Sequence, residues 1–293
     1  MKKVIIFLCA SLPLAGFAVD ANIVSKESIT CNVRLSNAVI PSTVDSDSDF
    51  SFCTGTIVGD NLLVTSAHCV NQTGSLRVSN LSDIPAHLKF NIAVGGRDNS
   101  KSYEVVSGSS GAVYDEAMAT AHQREDYLSR HPLSLIKDDL VILRLSSPVA
   151  GVDTSICPQL PTAAECAELA AFISAPDRSL SQITSSFYIS DYYVIGDRAS
   201  RQRLPYPSPR FANVQASYFT RDAQDGFLAA EFNVPPVKVS IHQGDSGTGL
   251  LWKKSSTRKL LLGTQSAASQ TFAGRALFSD ICRFTGHRNW PVQ

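Results

Sequence analysis

The chain is 293 residues long, enough for one large domain or two packed subdomains. Hydrophobic residues make up 44% and charged residues 18%, the balance of a foldable globular chain rather than a disordered one. Lys+Arg and Asp+Glu each number 26, so the net charge is zero, and no long like-charge run points to nucleic acid or an anionic membrane surface.

Residues 1–18 read as a secretion signal. Lys2 and Lys3 give the positive start, Val4 to Leu14 is an apolar run interrupted by Ser11 and Pro13, and Gly16-Phe17-Ala18 offers small residues for cleavage. The run is too short for a spanning helix, and no other stretch is long and apolar enough. The expectation is an exported protein, secreted or periplasmic, with no membrane contact once the signal is removed; an uncleaved anchor is the alternative. Of seven cysteines, Cys9 lies in the signal, leaving Cys31, Cys53, Cys69, Cys157, Cys166 and Cys282. An even count after export predicts three disulfides, whose pairing the sequence alone does not choose. Cys157 and Cys166 are too far apart for a zinc knuckle, and no metal site is expected.

After the signal, Asp20 to Ser28 is polar and reads as a mobile lead-in or short propeptide. Ser46 to Asp49 is a polar turn before a strand over Phe50 to Val58. Gly59-Asp60-Asn61 is a hairpin signal, with Leu62 to Ser66 as the returning strand. Phe90 to Val94 and Tyr103 to Val106 are further strands. Glu116 to Ser129 reads as a short helix or insertion, flanked by His122 and His131, which are taken as surface or packing histidines. Leu140 to Leu145 is the near-continuous apolar run of a central strand. Ser146 to Thr162, with Pro148, Pro158 and Pro161, reads as a linker, and Ala163 to Phe172 as a helical turn. Gln182 to Ile195 predicts a hairpin, Arg198 to Pro209 a basic loop, and Ala212 to Tyr218, Gly226 to Phe232, Leu260 to Ser266 and Ala276 to Ile281 further strands. Many short strands with regular turn signals and few strong helices argue for an all-β fold.

The most specific stretch is Gln243-Gly244-Asp245-Ser246-Gly247. Glycines let the backbone bend tightly around the serine and bring N–H groups close to a bound group. A serine hydroxyl is a poor nucleophile alone and needs a base, which in turn needs an orienting carboxylate. Upstream, Leu62 to Ser66 leads into Ala67-His68-Cys69, and Asp138-Asp139 opens the run Leu140 to Leu145. In the order His, Asp, Ser, these segments resemble the trypsin/chymotrypsin-like serine proteases, as a secreted, bacterial-looking member; other hydrolase families use other orders. The gaps between the three are longer than usual for the family, so surface insertions are expected.

The resemblance implies two six-stranded antiparallel barrels with a C-terminal helix over Cys282 to Trp290 and the active site between the barrels. It divides the chain into residues 19–155, the N-terminal segment and first barrel, and 156–293, the linker, second barrel and helix. It implies that His68, Asp139 and Ser246 are catalytic, that the N–H groups of Gly244 and Ser246 form an oxyanion hole, and that no cofactor takes part. It matches Cys53 to Cys69, and by position Cys166 to Cys282 and Cys31 to Cys157, with the last two pairs exchangeable. Relatives commonly mature at an Ile-Val-Gly-Gly-like start whose new amine meets the aspartate before the nucleophile, here Asp245. Ile23-Val24-Ser25 and Val39-Ile40-Pro41 are the nearest matches, and neither is a clear one. A buried carboxylate needs some partner, so a different group is expected to meet Asp245.

By the same resemblance Ser240 lies at the floor of the specificity pocket, with Ile241 beside it, and Ser266, Ala268 and Ala276 on its walls. No acidic residue stands at the floor, and alanine at both wall positions narrows the slot. The expected substrate is a protein or peptide cleaved after small or medium apolar residues. His242 replaces a common cysteine, so the usual disulfide beside the pocket is missing, and Thr248-Gly249 departs from the commoner Gly-Pro. The competing readings are a non-catalytic peptide-binding or adhesive module and an esterase using the same site. Oligomeric state is not legible.

Overall fold

The computed structural model describes residues 31–37, 53–71, 89–94, 101–110, 139–174, 187–193, 208–213, 215–219, 227–231, 246–268 and 275–284. Six strands build the first half: β1 (Asn32–Asn37), β2 (Cys53–Ile57), β3 (Leu62–Thr65), β4 (Lys89–Val94), β5 (Lys101–Ser110) and β6 (Val141–Leu145). They close into a barrel in the order β1-β2-β3-β6-β5-β4, with β4 pairing back onto β1. All neighbours run antiparallel. The interior is packed by alternate residues of these strands, among them Val33, Leu35, Ile57, Leu63, Phe90 and Ile92, each at most 1% exposed. Each such side chain contributes about 1.5–3 kcal/mol on burial.

Strand β1 was not expected from its sequence, Asn-Val-Arg-Leu-Ser-Asn. Its alternation is only two apolar residues deep, and it becomes a strand because Val33 and Leu35 fill the barrel. The expected turn at Gly59-Asp60-Asn61 does join β2 to β3, where the Val58 N–H donates to the Leu62 carbonyl at 3.0 Å.

The second half contains β7 (Phe187–Tyr193), β8 (Ser208–Asn213), β9 (Gln215–Phe219), β10 (Phe227–Glu231), β11 (Gly249–Lys253), β12 (Lys259–Ala268) and β13 (Arg275–Phe278). Their order is β8-β7-β11-β12-β13-β10-β9. Among the described residues seven stretches stand where six strands were expected, and the chain explains the difference. A single residue separates β8 from β9, which are the two ends of that order, so one chain segment pairs with β7 through its first part and with β10 through its second. Consecutive Cα atoms lie about 3.8 Å apart, so the two edges of the sheet meet through the covalent chain. The fold is thus all-β and chymotrypsin-like, as expected.

Three local expectations are corrected. Residues 187–193 form no hairpin among themselves, since β7 pairs with β8 and β11; the non-local partners, not a turn within the segment, define the strand. Strand β11 was not anticipated: Gly249-Leu250-Leu251-Trp252 is buried throughout and shows no alternation to read. The helical turn after the linker is a 12-residue helix (Ala163–Ser174), preceded in the chain by a short helix over Ala67–Asn71; these are α2 and α1. A Thr-x-x-Glu capping box starts α2: the Glu165 N–H donates to Thr162 Oγ1 at 3.2 Å, and the Thr162 N–H donates to Glu165 Oε2 at 3.0 Å. At the chain's end, a 3₁₀ turn spans Ile281–Phe284. The rest of the expected C-terminal helix, the Glu116 to Ser129 segment, and His122 and His131 lie outside the described residues.

The halves are tied together in three ways. The linker runs beside β12, where Gln159 bridges to Leu260 and exchanges hydrogen bonds of 2.9 Å with Lys259 and Leu261. A shared core joins Val64, Leu140 and Ile142 of the first half to Leu251, Leu261 and Ile281 of the second. The disulfides are Cys31–Cys157, Cys53–Cys69 and Cys166–Cys282. The first is the one that joins the halves, tying the residue before β1 to the linker; the second closes within the first half, and the last staples α2 to the 3₁₀ turn within the second. Among the described residues no helix is long and apolar enough to cross a membrane.

Candidate active site

Strand β3 is buried along Leu63, Val64 and Thr65 and runs straight into α1, so His68 is delivered at the end of a rigid element. The Cys53–Cys69 disulfide pins the residue after it back onto β2. Asp139 sits two residues before β6, whose first residue Val141 pairs with Thr65 at the end of β3, and is only 3% exposed. These two elements place the two side chains side by side.

The contact is made at two points. The main-chain N–H of His68 donates to Asp139 Oδ1 at 2.8 Å, and His68 Nδ1 lies 2.6 Å from Asp139 Oδ2. A carboxylate only accepts, so Nδ1 carries a proton, and in the neutral ring the lone pair is then on Nε2. The Ser266 hydroxyl, from β12, donates to the same Oδ2. A buried carboxylate is thereby held by three donors, which offsets its desolvation and fixes the ring's tautomer and orientation. Ser266 was expected on a pocket wall; its hydroxyl contacts the carboxylate, a role that its sequence position alone did not reveal.

Ser246 opens the turn before β11. Its carbonyl accepts from the Thr54 N–H of β2 at 2.7 Å and lies 3.7 Å from the sulfur of Cys69, the neighbour of His68. The serine segment of the second half therefore sits against the histidine segment of the first. Gly247 follows with φ +88°, and a Cβ there would overlap the Thr54 carbonyl oxygen, so the turn needs glycine for both space and conformation. The Gly247 N–H donates to the Gln265 carbonyl at 2.9 Å, anchoring the turn to β12.

Of the remaining expected positions, Ala268 and Ala276 face each other as Cα partners on β12 and β13. Gly244, Asp245, Ser240 and Ile241 lie outside the described residues, as do both candidate maturation sites. Ligand atoms of Cys53, His68 and Cys69 lie within 4.8 Å of one another, but the two sulfurs are bonded to each other and offer no thiolate to a metal.

The trypsin family model matches residues 36–284 of the sequence. In structure the chain is similar to a human heparin binding protein, with a TM-score of 0.51 and 16% sequence identity over 89% of this chain and 91% of that one. At that identity the likeness is one of fold alone. No curated protein matches the sequence.

Proposed function

Because this chain belongs to the trypsin family, we propose that it is a serine endopeptidase with His68 as general base, Asp139 as its orienting carboxylate and Ser246 as nucleophile. Family membership supports a trypsin-like hydrolase acting on protein or peptide substrates. The observation that carries the finer reading is the two-point contact of His68 with the buried Asp139 carboxylate. A packing histidine has no need of a carboxylate that fixes its tautomer, whereas a general base does.

In the proposed mechanism Ser246 Oγ attacks the peptide carbonyl carbon as His68 Nε2 takes the hydroxyl proton. Asp139 stabilises the imidazolium across the 2.6 Å contact. The N–H groups of Gly244 and Ser246 receive the oxyanion. The tetrahedral intermediate collapses as His68 returns the proton to the leaving amine, and water then repeats the sequence on the acyl-enzyme. Ser240, Ile241, Ser266, Ala268 and Ala276 are read as lining the pocket for a small or medium apolar residue before the cleaved bond. The Ala268/Ala276 register supports adjacent, small-sided walls.

The same reading takes residues 1–18 as a signal and divides the mature chain into 19–155 and 156–293. Three disulfides fit an oxidising, extracellular or periplasmic compartment. The test is labelling of the purified mature protein with a serine-reactive fluorophosphonate, with Ser246→Ala as control and N-terminal sequencing of the labelled band. Stoichiometric labelling lost in the variant is expected. A folded, N-terminally processed protein that takes up no label overturns the reading. Cleavage of a chromogenic peptide library best after Arg, Lys or Glu would refute the apolar preference alone.

A further inference from the structure

Three consecutive residues of β12 contact the histidine, aspartate and serine segments of the candidate site. Ser266 donates to the Asp139 carboxylate. The Gln265 carbonyl accepts from the Gly247 N–H of the serine turn at 2.9 Å and from the hydroxyl of Ser66, two residues before His68, at 2.7 Å. Thr264 Oγ1 lies 3.4 Å from the main-chain carbonyl of Asp139, 2.8 Å from Ser279 Oγ and 3.5 Å from Ser66 Oγ. Ser66, Thr264 and Ser279 are all 0% exposed. Nothing in the motifs singled out Thr264 or Ser279.

Counting protons orders this cluster. Each hydroxyl has one hydrogen to give. Ser66 gives its hydrogen to the Gln265 carbonyl, the shorter of its two contacts. The Ser279 oxygen accepts the Thr264 N–H at 3.1 Å, and its hydrogen has two acceptors, Thr264 Oγ1 at 2.8 Å and the Thr264 carbonyl at 3.2 Å; that carbonyl already takes the Ser279 N–H at 2.9 Å, so the shorter contact to Thr264 Oγ1 is the one that receives it. Thr264 is then left to donate to the Asp139 carbonyl. The relay runs Ser279 to Thr264 to Asp139 and ends on the residue that orients His68. Gly263 makes it possible: a Cβ there would overlap the Ser279 carbonyl oxygen, so only glycine lets β12 approach closely enough for these hydroxyls to meet.

We propose that Thr264 is a positioning residue for the His68–Asp139 pair, holding the main chain of Asp139 from the second half of the fold while Ser266 holds its carboxylate. Two points of attachment on one strand fix both the place and the direction of the carboxylate. In a dry site each hydrogen bond acts with little screening and no competing water. The inference rests on the triad reading for its meaning in catalysis, but its structural content, that the Thr264 hydroxyl sets the environment of the His68 ring, is independent of turnover.

The test uses the full mature chain with Thr264→Val, which keeps the shape and removes the hydroxyl, and Thr264→Ser, which keeps the hydroxyl. Two quantities are read: the second-order rate of fluorophosphonate labelling, and the proton resonance of His68 Nδ1–H by NMR. Thr264→Val is expected to slow labelling by about 10- to 100-fold, the scale of a displacement well under 1 Å to about 1 Å, and to shift the His68 resonance; Thr264→Ser restores both. A folded Thr264→Val with wild-type rate and resonance overturns the proposal. Should wild type take up no label, the resonance alone decides: a shift supports positioning while the protease reading falls, and no shift refutes positioning as well. If Thr264→Val does not fold, Ser279→Ala takes its place, since it removes the donor that leaves the Thr264 hydrogen for Asp139; an unmoved His68 resonance in that variant overturns the proposal.

Discussion

The main-chain N–H of Thr54 donates to the Ser246 carbonyl at 2.7 Å, joining strand β2 of the first barrel to the turn that carries the serine. The contact leaves no room between Thr54 and Gly247. A Cβ on Gly247 would overlap the Thr54 carbonyl oxygen, which itself accepts the Thr65 hydroxyl at 2.7 Å and is held in place by it. The obstacle is backbone, not the end of a flexible side chain, and φ at Gly247 is +88°. Gly247→Ala is therefore expected to cost about 2–3 kcal/mol or more, lowering Tm by about 5–10 °C for a chain of this size. Thermal unfolding followed by circular dichroism reads this directly. A wild-type Tm would mean that the turn can move away from β2 without loss.

Asp139→Asn probes the carboxylate without changing its size. Asp139 accepts from the His68 N–H, His68 Nδ1 and the Ser266 hydroxyl. An amide has one oxygen for these donors and presents N–H to the rest, so the imidazole is driven to the other tautomer. The fold is expected to survive and fluorophosphonate labelling to fall by about 10⁴-fold, the scale of tautomer loss in a comparable triad. A near-wild-type rate would move the carboxylate role elsewhere, with Asp138 next in sequence.

How legible was this arrangement? The flanks of His68 and Asp139 are local signals: an apolar strand ending in a histidine, and an acid opening a buried strand. Both elements form where the sequence puts them, because burial of Leu63, Val64, Val141 and Leu143 is decided within the segment. What escaped is non-local. Strand β11 is continuous apolar sequence after a glycine turn and becomes a strand only through β7 and β12. The Ser266 and Thr264 hydroxyls contact a residue more than a hundred positions away, and no spacing rule encodes that. The start of α2, by contrast, is a local signal: Thr162-Ala163-Ala164-Glu165 is a capping box that sets a helix N-terminus.

Glu165 does more than cap. Its carboxylate takes both Arg258 Nε and Arg258 Nη2 at 2.9 Å, and Lys254 approaches to 3.6 Å, so α2 is clamped to the β11–β12 hairpin. The Arg258 hydrogen bonds, helped by the Thr162 N–H, lower its pKa from 4.5 to about 2, against the opposing effect of burial. A depressed folded value means stability that is present above the unfolded pKa and lost as pH falls from about 4.5 towards 2. Glu165→Gln is expected to lose about 1–2 kcal/mol at neutral pH, reduced from the full linkage because Arg258 is partly solvated. The gap to wild type should narrow in urea melts near the bottom of that window. A constant gap at both pH values would mean that Glu165 stabilises by packing alone.

Asp280 has the opposite sign. It follows β13 and is only 6% exposed. Burial raises its pKa from 3.8 to about 6, although the Cys282 N–H donates to its Oδ1 at 2.9 Å and the Arg283 cation also favours the charged form. With a raised folded value the native state holds the proton more tightly than the unfolded chain does. The stabilising contribution is fully present below pH 3.8 and is lost as pH rises through about 6. Asp280→Asn keeps an oxygen for the Cys282 N–H and carries no charge at any pH. The variant is therefore expected to match wild type in acid and to exceed it above the window by a margin on the order of 1–3 kcal/mol, read as a rise in the urea midpoint. Arg283 tempers that margin, because its interaction with the carboxylate disappears along with the charge. If the two proteins unfold at the same midpoint on both sides of the window, the ionised carboxylate is fully compensated in the folded state, and Asp280 is not a source of pH dependence.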